Sequence, residues 1–193
     1  MHERTRHLEP QVPGPLVVAA AVLDSLDAPR SLLCAARAYP VEHAGQYELP
    51  GGKVEPGEAP LSALARELDE ELSMGVRIGP EVEPPAPLAV PAPRDGAASG
   101  DTAPAWPVLH GFRMRVWMTE PAGTGGRPRP GGSHEQVRWV PLDSVLDLPW
   151  LPADRPILEA VLSRARTSGT PRDPLAPALP PPAVDGGDHQ PGI

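Results

Sequence analysis

The segment RELDEEL, Arg66 to Leu72, sets four carboxylates, Glu67, Asp69, Glu70 and Glu71, within seven residues. Glu67 and Glu71 stand four apart, a spacing at which like charges on a bare helix repel by roughly 0.2–0.5 kcal/mol. A bound divalent cation would offset that repulsion. Mg²⁺ and Mn²⁺ take hard oxygen ligands, and Mg²⁺ combines a few carboxylates with waters and substrate phosphate oxygens. At about 100° per residue, Glu67, Glu70 and Glu71 share an arc of about 100°, so one flank of a helix would present three oxygen ligands together. A solvated acidic face is the alternative reading of the same residues.

The element that must carry them is readable. From Pro60, the apolar residues Leu61, Leu64, Ala65, Leu68 and Leu72 recur at helical spacing and form a stripe, with the carboxylates expected on the flank facing away from it. Pro60 suits a first turn, where its missing N–H costs nothing. A second helix is predicted from Asp154 to Arg166, with Ile157, Leu158, Val161 and Leu162 inward. The apolar run Leu16–Leu23 and the segment SLLCAAR ending at Arg37 read as strands, the first buried on both faces. Between His110 and Glu120, Phe112, Met114, Val116 and Met118 alternate against Arg113, Arg115 and Trp117, and Gln136–Leu142 reads as a further short strand. Strands mixed with two helices point to an α/β or α+β sandwich.

The chain of 193 residues suits one domain. A net charge of -8 argues against a nucleic-acid polymer or an anionic membrane surface as partner. An acidic protein that handles phosphates needs metal ions. One cysteine, Cys34, allows no internal disulfide. Residues 1–14 lack the apolar stretch of a signal peptide and read as a flexible segment, so a cytoplasmic location is expected. The thirty prolines are clustered. They mark a disordered tail over 167–193, an insert over about 80–107 and a lengthened loop over 121–133, within one domain spanning 15–166.

The stretch GGKVEPGEAPLSALARELDEELSM resembles the box of the Nudix hydrolases: a glycine, five residues, Glu, seven residues, Arg-Glu, an apolar residue, any residue, Glu-Glu, any residue, glycine and an apolar residue. Gly52, Glu58, Arg66, Glu67, Leu68, Glu70, Glu71 and Met74 fill that pattern. Ser73 stands where the family has glycine, and Gly75 is the residue expected to take over the turn. The resemblance implies an α/β/α sandwich around a mixed, curved β-sheet. It also implies Mg²⁺, with Mn²⁺ as a substitute, held by Glu67, Glu70 and Glu71, with a backbone carbonyl at Gly51 or Gly52 as a further ligand. Arg66 and Glu58 would orient the carboxylates.

The segment AARAYPVEHAGQYELPGG narrows the resemblance to the MutT-like nucleoside triphosphate pyrophosphohydrolases. In that group a basic residue twelve positions before the apolar residue of the ELPGG turn reaches the phosphates, and Arg37 holds that place; a surface strand end is its alternative. SHEQVRW resembles the segment with an extra acidic residue, which makes Glu135 the expected additional metal or water partner. LPWLPADRPILEAVL resembles the element that meets the base, with Asp154 as the matching residue or, alternatively, a helix N-cap. An ionised Asp accepts hydrogen bonds only, which inclines the preference toward a cytosine nucleotide or an oxidised purine. Trp106, Trp117, Trp139 and Trp150 are candidates for stacking on the base. None of the six histidines is assigned a role.

The implied activity is hydrolysis of (deoxy)nucleoside triphosphates such as 8-oxo-dGTP, dCTP or 5-methyl-dCTP to monophosphate and pyrophosphate, by a monomer or homodimer. The rival expectations are a pyrophosphatase for ADP-ribose, nucleotide sugars or dinucleoside polyphosphates, and a nucleotide-binding module without turnover.

Overall fold

A computed structural model describes residues 15–91, 103–108, 111–123 and 127–168. The expected flexible start at 1–14 and nearly all of the expected tail lie outside them. The strands are β1 (Leu16–Val22), β2 (Ser31–Arg37), β3 (Tyr47–Glu48), β4 (Gly51–Lys53), β5 (Val76–Glu81), β6 (Trp106–Pro107), β7 (Arg113–Pro121) and β8 (His134–Pro141). Among the described residues two α-helices, α1 (Pro60–Leu72) and α2 (Arg155–Ser168), join the strands, with short 3-10 turns at Val41–His43, Ala86–Leu88 and Val145–Asp147.

One sheet has the order β4-β1-β7-β5, with β6 also on β7; the other has the order β3-β2-β8. β1 and β7 run parallel, from Leu16 opposite Arg113 to Val22 opposite Thr119. The remaining pairs are antiparallel, so the sheet is mixed. Period-two alternation in β1 divides the core. Val18, Ala20 and Val22 pack with Ala63, Leu64, Leu68 and Leu72 of α1, whereas Ala19 and Ala21 face the cluster containing Ile157, Leu158, Val161 and Leu162 of α2. A helix therefore lies on each face of the strands, the layering expected of an α/β/α sandwich. No helix among the described residues is long and apolar enough to cross a membrane.

The buried stripe of α1 is turned from the sequence expectation. Leu61 is 46% exposed and Ala65 is exposed, while Ala63 and Glu71 are buried with Leu64, Leu68 and Leu72. Glu71 thus belongs to the inner border of the helix rather than its outer flank. The reason is tertiary: β4 lies along that border, and its backbone gives Glu71 a hydrogen bond from Gly51 N–H at 3.0 Å.

The helix end differs too. Ser73 itself takes the left-handed conformation, φ 50° and ψ 44°, and its N–H bonds to Asp69 O. Gly75 does not take over the turn. The orphan carbonyls of Glu71 and Leu72 accept from Gly131 N–H at 2.8 Å and Arg129 N–H at 3.1 Å, so the described part of the proline-rich loop closes the end of α1. In the 80–107 stretch, Val82 pairs by backbone with Val116, and Val90 bridges Ala105, which ties both flanks to the sheet.

Candidate active site

β4 lies along the border of α1 that carries Glu67 and Glu71. Gly51 pairs with Ala19 and Gly52 with Val18 of β1. A Cβ at Gly51 would fall 2.0 Å from Val18 O, and one at Gly52 would fall 2.2 Å from the Glu67 carboxyl carbon. Both glycines are therefore demanded by close approach, and Gly52 leaves the space that the Glu67 carboxylate occupies.

Arg66 organises the exposed half of the cluster. Its Nε and Nη2 donate to the two oxygens of Glu58, each at 3.0 Å, a bidentate fork. Nη1 donates to Glu67 Oε1 at 2.9 Å and lies 3.6 Å from Glu70 Oε2, while Nη2 also reaches Lys53 O. The fork holds the Glu58 carboxyl below the usual carboxylate range and raises Arg66 further above its own. Glu70, with its side chain 59% exposed, points to solvent.

Glu71 occupies the opposite condition. Burial pushes its pKa up, opposed by His134 and by the Gly51 N–H and reinforced by Glu48 and Glu67. Ser133 Oγ donates to its other oxygen at 3.3 Å. A buried carboxylate in this state favours a positive partner. Among the described residues, no three His, Cys, Asp or Glu side chains are arranged to hold a metal ion as they stand, since Arg66 draws Glu67 and Glu70 toward itself. The donor set nonetheless fits a hard divalent cation: carboxylates only, one of them buried, beside a glycine whose missing Cβ leaves room.

Adjoining this cluster is a cavity of about 250 Å³. Its wall includes Arg37, Glu48, Asp154 and the backbone of Gly51 and Gly52. Arg37 Nη1 pairs with Glu48 Oε2, and its Nε donates to Tyr39 O at 3.0 Å. Asp154 is 3% exposed; its Oδ2 accepts from Leu49 N–H at 3.2 Å while its backbone carbonyl accepts from Leu158 N–H at the start of α2. The backbone of Asp154 starts the helix, while its carboxyl bonds to Leu49 N–H in the cavity wall rather than capping the helix. Burial pushes this carboxyl up to about 7, against the pull of Leu49 N–H.

The model of the NUDIX domain matches residues 15–161. The chain belongs to the Nudix family. The chain is 37% identical over 142 residues to a putative 8-oxo-dGTP diphosphatase 2 of Mycobacterium tuberculosis, covering 72% of this chain and 82% of that relative. It is 31% identical over 133 residues to the CTP pyrophosphohydrolase of Escherichia coli, covering 68% and 82%. The solution structure of the E. coli ORF135 protein superimposes with a TM-score of 0.55 at 26% identity, covering 82% of this chain and 94% of that one.

Within this Nudix fold, Glu58, Arg66, Glu67, Glu70 and Glu71 come together with Gly51 and Gly52, and Arg37 and Asp154 share the neighbouring cavity. Glu135 is not drawn in. It is exposed, at the irregularity where Arg37 pairs with His134 and Ala36 with Gln136, and its neighbours Ser133 and His134 reach Glu71 instead. The four tryptophans do not line the cavity. Trp106 and Trp150 are buried with their indole N–H groups bonded to Val82 O and Val145 O. Phe112 and His43 supply the flat rings of the wall. Phe112 was visible as one of an alternating series, but nothing in the sequence separates it, in the cavity wall, from Val116 and Met118 in the core.

Proposed function

We propose that the chain hydrolyses (deoxy)nucleoside triphosphates to monophosphate and pyrophosphate, with the base in the 250 Å³ cavity and the phosphates over Gly51, Gly52 and the carboxylates of α1. The observation that carries this reading is the continuity of the cavity with that glycine turn, which puts a base-sized space beside Glu67 and Glu71. Glu67, Glu70 and Glu71 would hold Mg²⁺, or Mn²⁺ in its place. Such an ion supplies neutralisation of phosphate charge and a lower pKa for an attacking water.

The other roles belong to the chain itself. Arg66 fixes Glu67 and, through Glu58, the turn that precedes α1. Arg37 offers its guanidinium to phosphate from the cavity wall. Phe112, Leu49 and Leu151 present apolar surface to the base. Asp154 accepts from an exocyclic amino group when ionised and donates to a keto oxygen when protonated, and a carboxyl titrating at about 7 has both forms at hand. This supports an 8-oxopurine or cytosine nucleotide, the substrate classes named for the mycobacterial and E. coli relatives.

Chromatographic separation of the products from 8-oxo-dGTP, dCTP, 5-methyl-dCTP, ADP-ribose and diadenosine polyphosphates tests the proposal, since a triphosphate yields monophosphate and pyrophosphate, ADP-ribose yields AMP and ribose 5-phosphate, and a dinucleotide yields two mononucleotides. Monophosphate and pyrophosphate from at least one of the triphosphates, formed well above the products of the other compounds, are expected. Turnover confined to ADP-ribose or the dinucleotides would overturn the triphosphate reading, and silence across the panel would favour a binding module.

A further inference from the structure

We infer that His134 is a positioning residue that links the nucleotide cavity to the catalytic helix, holding Glu48 in place against Arg37 while bounding the position of Glu71. The inference rests on the hydrolase reading above for the roles of Arg37 and Glu71. Its geometry is a continuous line of side chains. Arg37 Nη1 meets Glu48 Oε2; Glu48 Oε1 lies 3.0 Å from His134 Nε2; His134 Nδ1 lies 3.8 Å from Glu71 Oε2; and that oxygen accepts from Gly51 N–H at 3.0 Å. Four separate elements, β2, β3, β8 and α1, each contribute one member.

The imidazole is placed there by the backbone. The irregularity at Ala36/Arg37 leaves Glu135 as the extra residue, and His134 pairs with Arg37. Its side chain is 1% exposed. An ionised Glu48 can only accept, so Nε2 carries the hydrogen of that bond. Nδ1 is then buried, without a hydrogen-bond partner, and turned toward Glu71. Leaving a buried polar atom unpaired forfeits its hydration, so an apolar residue would suit this volume better if filling were its only task. Without the imidazole, Glu48 would have Arg37 as its cationic neighbour with nothing to share its charge, and the guanidinium would be drawn from phosphate to carboxylate.

The test compares His134→Phe, which keeps a flat ring but makes no hydrogen bond, with His134→Gln, whose amide can donate to Glu48. The Phe variant is expected to raise KM for the triphosphate and the Mg²⁺ concentration for half-maximal rate, by about ten- to a hundredfold. The Gln variant should recover most of the KM loss. In an Arg37→Ala background, His134→Phe should raise KM little further, because its route through Glu48 has no guanidinium to act on. Equal KM increases in both backgrounds, unchanged constants in the Phe variant, or a Gln variant as impaired as Phe would each overturn the inference. Should melting show the Phe variant unfolded, Glu48→Gln replaces it in the same cycle. A wild type without pyrophosphate release would sink the hydrolase reading alone; Mn²⁺ binding by calorimetry, weakened by His134→Phe and restored by His134→Gln, then decides the link to Glu71.

Discussion

Asp154 shows how one residue can be legible in type and hidden in state. The resemblance offers it as a residue that meets the base and its own chemistry offers it as a helix start, but its carboxyl sits at 3% exposure and is pushed up to about 7 by burial. An acid whose folded pKa lies above its unfolded value binds more protons in the native state between the two, so native stability falls as pH rises through that window. The contribution is complete below the unfolded value near 3.8 and lost above about 7. Glu71, also raised by burial, acts with the same sign. Denaturation midpoints at about pH 5 and about pH 8.5 should therefore fall for the wild type, and Asp154→Asn should flatten a large part of that slope. An identical slope in the variant would remove Asp154 from the account. Glu58 and Arg66 were legible through the resemblance, whose motif is one continuous stretch of chain. Glu48, His134 and Phe112 were not, because strand pairing between β2, β3 and β8 and the fold of β7 bring them to the site from distant positions.

The helix α1 was legible in extent but not in rotation. Its start at Pro60 and end at Leu72 follow from proline chemistry and apolar spacing. Which residues turn inward depends on β4, a three-residue strand too short to leave a periodic signal. The same holds for the helix end. Ser73 occupies a left-handed position that costs an L-residue with a Cβ about 1–2 kcal/mol, while the loop backbone at Arg129 and Gly131 closes the last carbonyls. Ser73→Gly should accordingly stabilise the protein by about 1 kcal/mol, an increase in the urea midpoint at constant slope. A loss of stability would mean that the serine side chain contributes something the backbone conformation does not show.

At the scale of the molecule, an acidic chain of net charge -8 is assigned an anionic substrate, and the two are reconciled only by a cation between them. The sandwich supplies the place: β1 carries helices on both faces, and β4 at its edge brings glycines to the carboxylates of α1. A sandwich of strands and two helices was readable from the apolar patterns of β1, α1 and α2, its α/β/α layering came through the resemblance alone, and the division into two sheets was not readable, since β3, β4 and β6 have two or three residues each. The most direct measurement is pyrophosphate release against Mg²⁺ concentration by the wild type and by Glu70→Gln. A saturable Mg²⁺ dependence that EDTA abolishes, with the variant folded yet slower by about a hundredfold or more, is the predicted result. Equal turnover by the variant, or release that continues in EDTA, would contradict the assignment of these carboxylates to the metal.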